Sequence, residues 1–263
     1  MAEGIIFNAA TEWLYRTTDM LSPTSSYTVM GWLKMNSISS STVWHPVFGL
    51  VYASDGDEFA VRYDTPGYFF ATTWLAGNAG FETGNSSYPD TTGSWHHIAW
   101  TVTVSGTSYT VRIYVDGVLE KTGSPGTLTS RFTQTKMMIG AAYDVASPTD
   151  TFDASNEGEV ACVKAWQSVL DATEISTEKG YLLPQKSGCV LCVTGIDGHD
   201  YSGTGDFSVA GSPTAGSGPS GVEWPGASYT PAPSVGSLTL AGMAATLDVQ
   251  TPVLAVGYVI VRG

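Results

Sequence analysis

His97-Ile98-Ala99-Trp100-Thr101-Val102-Thr103-Val104, Ser105-Gly106-Thr107-Ser108 and Tyr109-Thr110-Val111-Arg112-Ile113-Tyr114-Val115-Asp116-Gly117-Val118 follow one another without a break. β-Branched and aromatic residues recur at a period of two, the repeat of a strand with one buried face. Residues 105–108 form a short hairpin connection. Asp116-Gly117 supplies the positive φ angles of a tight reversal. Residues 97–121 therefore predict an antiparallel meander.

The pattern extends outward. Tyr27-Thr28-Val29-Met30-Gly31-Trp32-Leu33-Lys34-Met35 reads as another strand, bounded by Gly, Ser, Asp and Pro clusters. Asp55-Gly56-Asp57-Glu58 reads as a Gly-containing turn leading into Phe59-Ala60-Val61-Arg62-Tyr63. One segment carries helix signals: Asp171-Ala172-Thr173-Glu174-Ile175-Ser176-Thr177-Glu178, with Asp171 or Thr173 as the cap and carboxylates in the first turn. It is a turn or two long. Many short strands and almost no helix predict an all-β, two-sheet antiparallel sandwich. Trp32, Trp100 and Trp166, on separate strands, are assigned to the core between the sheets.

Of 263 residues, 24 are acidic and 11 basic, a formal charge of -13, and only 13% are charged, where soluble domains typically carry about 25%. So few cations cannot neutralise a run of phosphates, and the net field repels nucleic acid and anionic lipid. Met1-Ala2-Glu3-Gly4-Ile5-Ile6-Phe7 lacks the basic flank and long apolar run of a secretion signal, so no signal peptide is expected. The longest apolar stretch, residues 253–261, is about half of what a membrane-spanning helix needs. Cys189-Val190-Leu191-Cys192 lacks the second ligand pair of a zinc site. On a regular strand its two thiols face opposite ways. The cysteines are expected to be buried and inert, as suits a reducing compartment.

Taken in order, the strand motifs resemble the laminin-G-like, concanavalin-A-like jelly roll. The resemblance rests on residues 27–33, on Trp95-His96-His97-Ile98-Ala99, on Ile113-Tyr114-Val115-Asp116-Gly117 and on Met138-Ile139-Gly140. It continues through Gly158-Glu159-Val160-Ala161-Cys162-Val163-Lys164-Ala165-Trp166, Ala172-Thr173-Glu174-Ile175 and Asp200-Tyr201-Ser202-Gly203-Thr204-Gly205. It implies a jelly roll over residues 1–222. Many relatives carry acids where this chain has Ala161 and Cys162, so no role of those acids carries over.

Some relatives are glucan hydrolases with two Glu and an Asp alternating on one strand. That pattern is absent here, and His45, His96, His97 and His199 accompany no Gly-x-Ser-x-Gly elbow. The chain is expected not to be an enzyme. Residues 144–157 concentrate oxygen ligands between two strands, and Asp144, Asp150, Asp153 and Asn156 are the candidate ligands for Ca2+. The resemblance to pentraxin-type and laminin-type relatives, which bind calcium at loop ends, supports that reading. The competing reading is a solvated acidic loop that maintains solubility. Sugar binding needs aromatic faces beside amides or carboxylates. Trp74, Asn78, Asn85 and Tyr88 supply that mixture, with packing or partner contact as the competing role for the two aromatics.

After about Phe207 the composition changes: Glu223, Asp248 and Arg262 are the only charged residues that remain. Residues 223–234 read as a Pro/Gly/Ser linker and residues 235–263 as a C-terminal β tail of three short strands. Such a tail is too small to bury its own core. Leu238, Leu240, Leu247, Val249, Tyr258 and Ile260 are its candidate docking residues. Ser237-Leu238-Thr239-Leu240-Ala241-Gly242 resembles segments of bacteriophage virion proteins. The expectation is a structural protein on a virion surface, a capsid decoration or tail-fibre component with a lectin-like head. Its partners would be other virion subunits, further copies of itself and glycans. The alternative is a freestanding carbohydrate-binding module, calcium-dependent if the acidic loop binds Ca2+.

Overall fold

The computed structural model describes residues 4–17, 21–22, 24–36, 44–52, 55–64, 68–74, 81–82, 93–123, 136–142, 150–152 and 157–223. The chain divides into two units, Met1–Trp224 and Pro225–Gly263, and all described residues belong to the first. The predicted tail, with Leu238, Leu240, Leu247, Val249, Tyr258 and Ile260, lies outside the described residues.

The described strands are β1 (Gly4–Phe7), β2 (Trp13–Arg16), β3 (Tyr27–Met35), β4 (Trp44–Tyr52), β5 (Asp55–Asp64), β6 (Tyr68–Trp74), β7 (Phe81–Glu82), β8 (His96–Ser105) and β9 (Ser108–Val115). They continue as β10 (Val118–Gly123), β11 (Lys136–Ile139), β12 (Ala141–Ala142), β13 (Asp150–Thr151), β14 (Gly158–Trp166), β15 (Cys189–Val193), β16 (Ser208–Ala210) and β17 (Thr214–Gly216). Helix α1 spans Ala172–Lys179. The larger sheet runs β10-β9-β8-β3-β14-β1-β17, with β15 also on β14. The second runs β16-β2-β11-β4-β5-β6-β7, and β12 pairs with β13 alone.

The meander forms as its turn chemistry requires. Ser105 pairs with Ser108 across the first reversal. Val115 pairs with Val118 across the second, where Asp116 and Gly117 have φ of 52° and 88°, as a two-residue hairpin needs. The Asp116 carboxylate then ties this turn to β8. Its Oδ1 accepts from the His97 N–H at 2.9 Å, and Oδ2 lies 2.9 Å from His96 Nδ1. Asp171 caps α1 in a reciprocal capping box with Glu174, which satisfies two of the helix's orphan N–H groups. Asp55-Gly56-Asp57-Glu58 departs from expectation. These residues are the start of β5, paired with residues 49–52 of β4. Ladder pairing outweighs their weak strand propensity.

The core lies between the two sheets. Phe59 bridges them, with its ring centroid 5.7 Å from Trp100 and 6.0 Å from Tyr27, both near edge-on. Trp100 is buried there as expected. Trp166 and Trp32 are not. Trp166 packs under α1 with Met30, Tyr114, Leu170 and Ile175, on the outer face of the larger sheet. Trp32 is half-buried on that outer face beside Ala161, Cys162 and Leu182. A bulge in β14 sets this phase: Ala161 pairs with Trp32 and Lys164 with Met30, and Cys162 takes φ of 50°. Ala161 and Cys162, where the family resemblance breaks, thus sit at a backbone irregularity.

A second bulge corrects the reading of the thiols. Cys192 pairs with Lys164 and Cys189 with Trp166. Lys164 and Trp166 are two residues apart on one strand, so both thiols share the outer face instead of opposing each other. Burial pushes the Cys162 and Cys189 thiols up to about 12, and Cys192 well above its usual range.

Candidate binding site

The family-like turn at residues 200–205 is built around one buried carboxylate. Asp200 Oδ1 accepts from the N–H groups of Cys192 and Ser202, each at 2.9 Å. Oδ2 accepts from Ser202 Oγ at 2.9 Å and lies 2.7 Å from Thr204 Oγ1. A short polar side chain that bonds backbone two residues ahead is the local chemistry of such a turn. Arg16, at the end of β2, closes it. Its guanidinium lies 3.3 Å from Asp200 Oδ2 and donates to the carbonyls of Thr204 and Gly205. Gly205, at φ of 121°, is required by its backbone, and a Cβ there would stand 3.1 Å from Arg16 Nη2.

Beside this closed turn is a shallow depression of about 290 Å³, lined by Tyr15, Arg16, Thr17, Gly205, Asp206 and Ser208. Tyr15 and Ser208 are register partners on adjacent strands, and the Tyr15 ring is anchored against Met138 and Ala141. Asp206 Oδ1 accepts from the Asp200 N–H at 3.0 Å and lies 2.8 Å from His199 Nδ1. The Asp200 N–H and the neighbouring His199 and Arg16 hold this exposed carboxyl below its usual range. Its Oδ2 carries no bond among the described residues. The lining therefore offers the hydroxyls of Tyr15, Thr17 and Ser208 and one ionised carboxylate oxygen around an aromatic ring. Arg16 contributes shape, because its N–H groups are directed into the turn.

Most candidates read from the sequence are not tested by this arrangement. Asn78, Asn85, Tyr88, Asp144, Asp153 and Asn156 lie outside the described residues. The backbone of Asp150 pairs with Ala142 in the β12–β13 ribbon. Among the described residues no group of three or more His, Cys, Asp or Glu is placed to hold a metal. Trp74 occupies the same cross-strand row as Tyr15, through Met138, Gly49 and Glu58. Met138 and Gly49 between them are buried, so this row is not one open groove. Tyr15, Thr17, Asp206 and Ser208 were not legible as a site. The Asp200–Gly205 motif marks one wall, but its partner Arg16 is 184 residues away from Asp200.

The architecture is that of a concanavalin A-like jelly-roll sandwich. The chain belongs to the Laminin_G_3 family of the concanavalin A-like lectin/glucanases superfamily, matched over residues 9–176. A native heptameric SAP-like pentraxin from Limulus polyphemus superposes with a TM-score of 0.64 at 14% identity, covering 82% of this chain and 94% of that one. A botulinum neurotoxin type C structure, described by the dependence of cell entry on two ganglioside molecules, gives 0.44 at 15% identity. It covers 59% of this chain and 35% of the toxin chain. The binding domain of serotype C1 gives 0.43 at 16% identity, with 59% and 36% covered. No curated protein matches the chain in sequence. No helix among the described residues is long and apolar enough to cross a membrane.

Proposed function

We propose that the chain is a non-catalytic, glycan-binding display protein whose sandwich carries the ligand site and whose C-terminal segment anchors it to a larger particle. The observation that carries the binding half is the depression beside Tyr15. Three hydroxyls and a carboxylate oxygen with unfilled hydrogen-bonding capacity surround an aromatic ring, the combination that receives a sugar's hydroxyls and its apolar ring face. Membership in a lectin-containing superfamily supports the same reading. The anchoring half rests on sequence. Beyond Trp224 the only charged residues are Asp248 and Arg262, and an apolar, nearly uncharged strand-forming segment needs cover. A capsid decoration or tail-fibre component of a bacteriophage fits both halves.

A glycan array probed with the full chain, with and without calcium, tests binding. Tyr15→Ala should abolish signals that the unmodified chain gives. Silence of the full chain in both conditions rejects the glycan reading. Size-exclusion of the full chain against residues 1–222 tests anchoring. The full chain should associate and the shorter one run as a monomer, whereas equal monomeric elution favours a freestanding carbohydrate-binding module.

A further inference from the structure

Resting on the glycan-binding reading above, we propose that the depression selects saccharides by charge: it takes uncharged or amine-bearing sugars and excludes those carrying carboxylate or sulfate. The groups around it decide the sign. Arg16 is the only cation in its lining, and its charge is countered by buried Asp200 at 3.3 Å while its N–H groups serve the Thr204 and Gly205 carbonyls. Among the lining residues no positive charge is left to meet an anionic ligand.

Negative charge, by contrast, is exposed. Asp206 has 62% of its side chain open to solvent and His199, its partner, has 50%. The Asp197 carboxylate accepts from the His199 N–H at 3.0 Å, which places a second exposed acid in the same chain of contacts. Tyr201 stands edge-on to His199 with ring centroids 4.6 Å apart and packs that imidazole beside Asp206. Two carboxylates, Asp206 in the lining and Asp197 beyond His199, outnumber the one imidazole between them, in a molecule of formal charge -13. Local repulsion and the long-range field therefore act in the same direction.

The magnitude is moderate because the groups are exposed. A ligand anion a few ångströms from one such carboxylate, in nearly aqueous dielectric, binds about three- to tenfold more weakly than its neutral counterpart. The discrimination shrinks as salt rises and the Debye length falls toward about 3 Å at 1 M.

The test is an array of neutral oligosaccharides printed beside their sialylated, sulfated and uronic-acid counterparts, probed with the full chain at low and high salt. Expected are neutral or amine-bearing hits whose acidic counterparts are about three- to tenfold weaker, with Asp206→Asn narrowing that gap. The Asn oxygen still accepts from the Asp200 N–H, so the turn is retained. Acidic glycans bound as strongly as neutral ones, or a gap unmoved by Asp206→Asn and by salt, overturn the charge selection and leave glycan binding standing. Binding of no glycan at all rejects both.

Discussion

Lys164 on β14 and Glu178 on α1 form an ion pair of 3.0 Å with each side chain only 1% exposed. The ammonium also donates to the carbonyls of Glu178 and Tyr181 at 2.9 and 2.7 Å. Glu178 Oε1 accepts from the N–H groups of Gln185 and Lys186. The pair thus fastens the single described helix and the segment after it to the larger sheet. Lys164→Met strands a buried carboxylate and should destabilise the fold by about 3–5 kcal/mol. Adding Glu178→Leu should restore part of that loss. Urea denaturation of both variants checks this, and a single-variant loss under about 1 kcal/mol would refute the fastening role.

His97 gives the fold a defined acid limit. It is buried on the outer face of the larger sheet, edge-on to Trp32 at 5.3 Å. Burial, then the charges of Lys164 and Lys179, lowers its pKa from 6.5 to about 3, against the opposing pull of Asp116. The folded protein keeps this imidazole neutral where the unfolded chain protonates it. Stability is therefore complete above about pH 6.5 and declines as pH falls toward 3, with a slope of up to about 1.4 kcal/mol per pH unit. Asp116 adds a loss at lower pH. Burial raises its pKa, but the bonds from His96 and the His97 N–H outweigh it and hold the carboxyl below its usual 3.8. Denaturation midpoints between pH 7 and 4 should flatten in His97→Phe, and an unchanged slope would contradict the assignment.

Glu159 lies against two glycines. A Cβ on Gly216 would stand 2.2 Å from Glu159 Oε2, and one on Gly4 2.5 Å. The other oxygen, Oε1, is held by Lys34 at 2.5 Å and by Asn36 Nδ2 at 3.3 Å, so the carboxylate cannot swing away freely. Gly216→Ala should cost about 1–3 kcal/mol through overpacking. In a Glu159→Ala background that cost should largely vanish, a coupling read from a double-mutant cycle. Additive losses would show that the close approach does not matter.

The three thiols should resist alkylation in the native state at pH 8, because a thiol with its pKa raised this far presents almost no thiolate. Titration with a thiol-reactive dye is expected to detect none of them natively and all three after denaturation. Fast native labelling of Cys162 or Cys192 would place it at the surface.

The sequence made the meander and the helix legible because both are local. Asp-Gly specifies its turn and the acidic first turn marks the helix, without reference to the rest of the chain, while the choice between Asp171 and Thr173 as cap is decided by the Asp171–Glu174 box in the structure. The facing of Trp32 and Trp166 was not legible. β3 is buried or half-buried along its whole length, so alternation carries no face signal, and a bulge at Cys162 shifts the phase in β14. The shared face of Cys189 and Cys192 follows from another bulge, which no spacing rule on a regular strand anticipates. The depression was hidden for a different reason. Tyr15 and Arg16 come from a four-residue strand and meet residues 205–208 only through sheet pairing and the Asp200 turn.

Mapping amide chemical-shift changes while titrating the full chain with an array-selected neutral oligosaccharide tests the location of binding most directly. Changes should concentrate at residues 15–17 and 205–208 and disappear in Tyr15→Ala. Perturbations centred elsewhere, such as on α1 or the β9–β10 hairpin, or unaltered binding by Tyr15→Ala, would contradict the assignment of the ligand site to this depression.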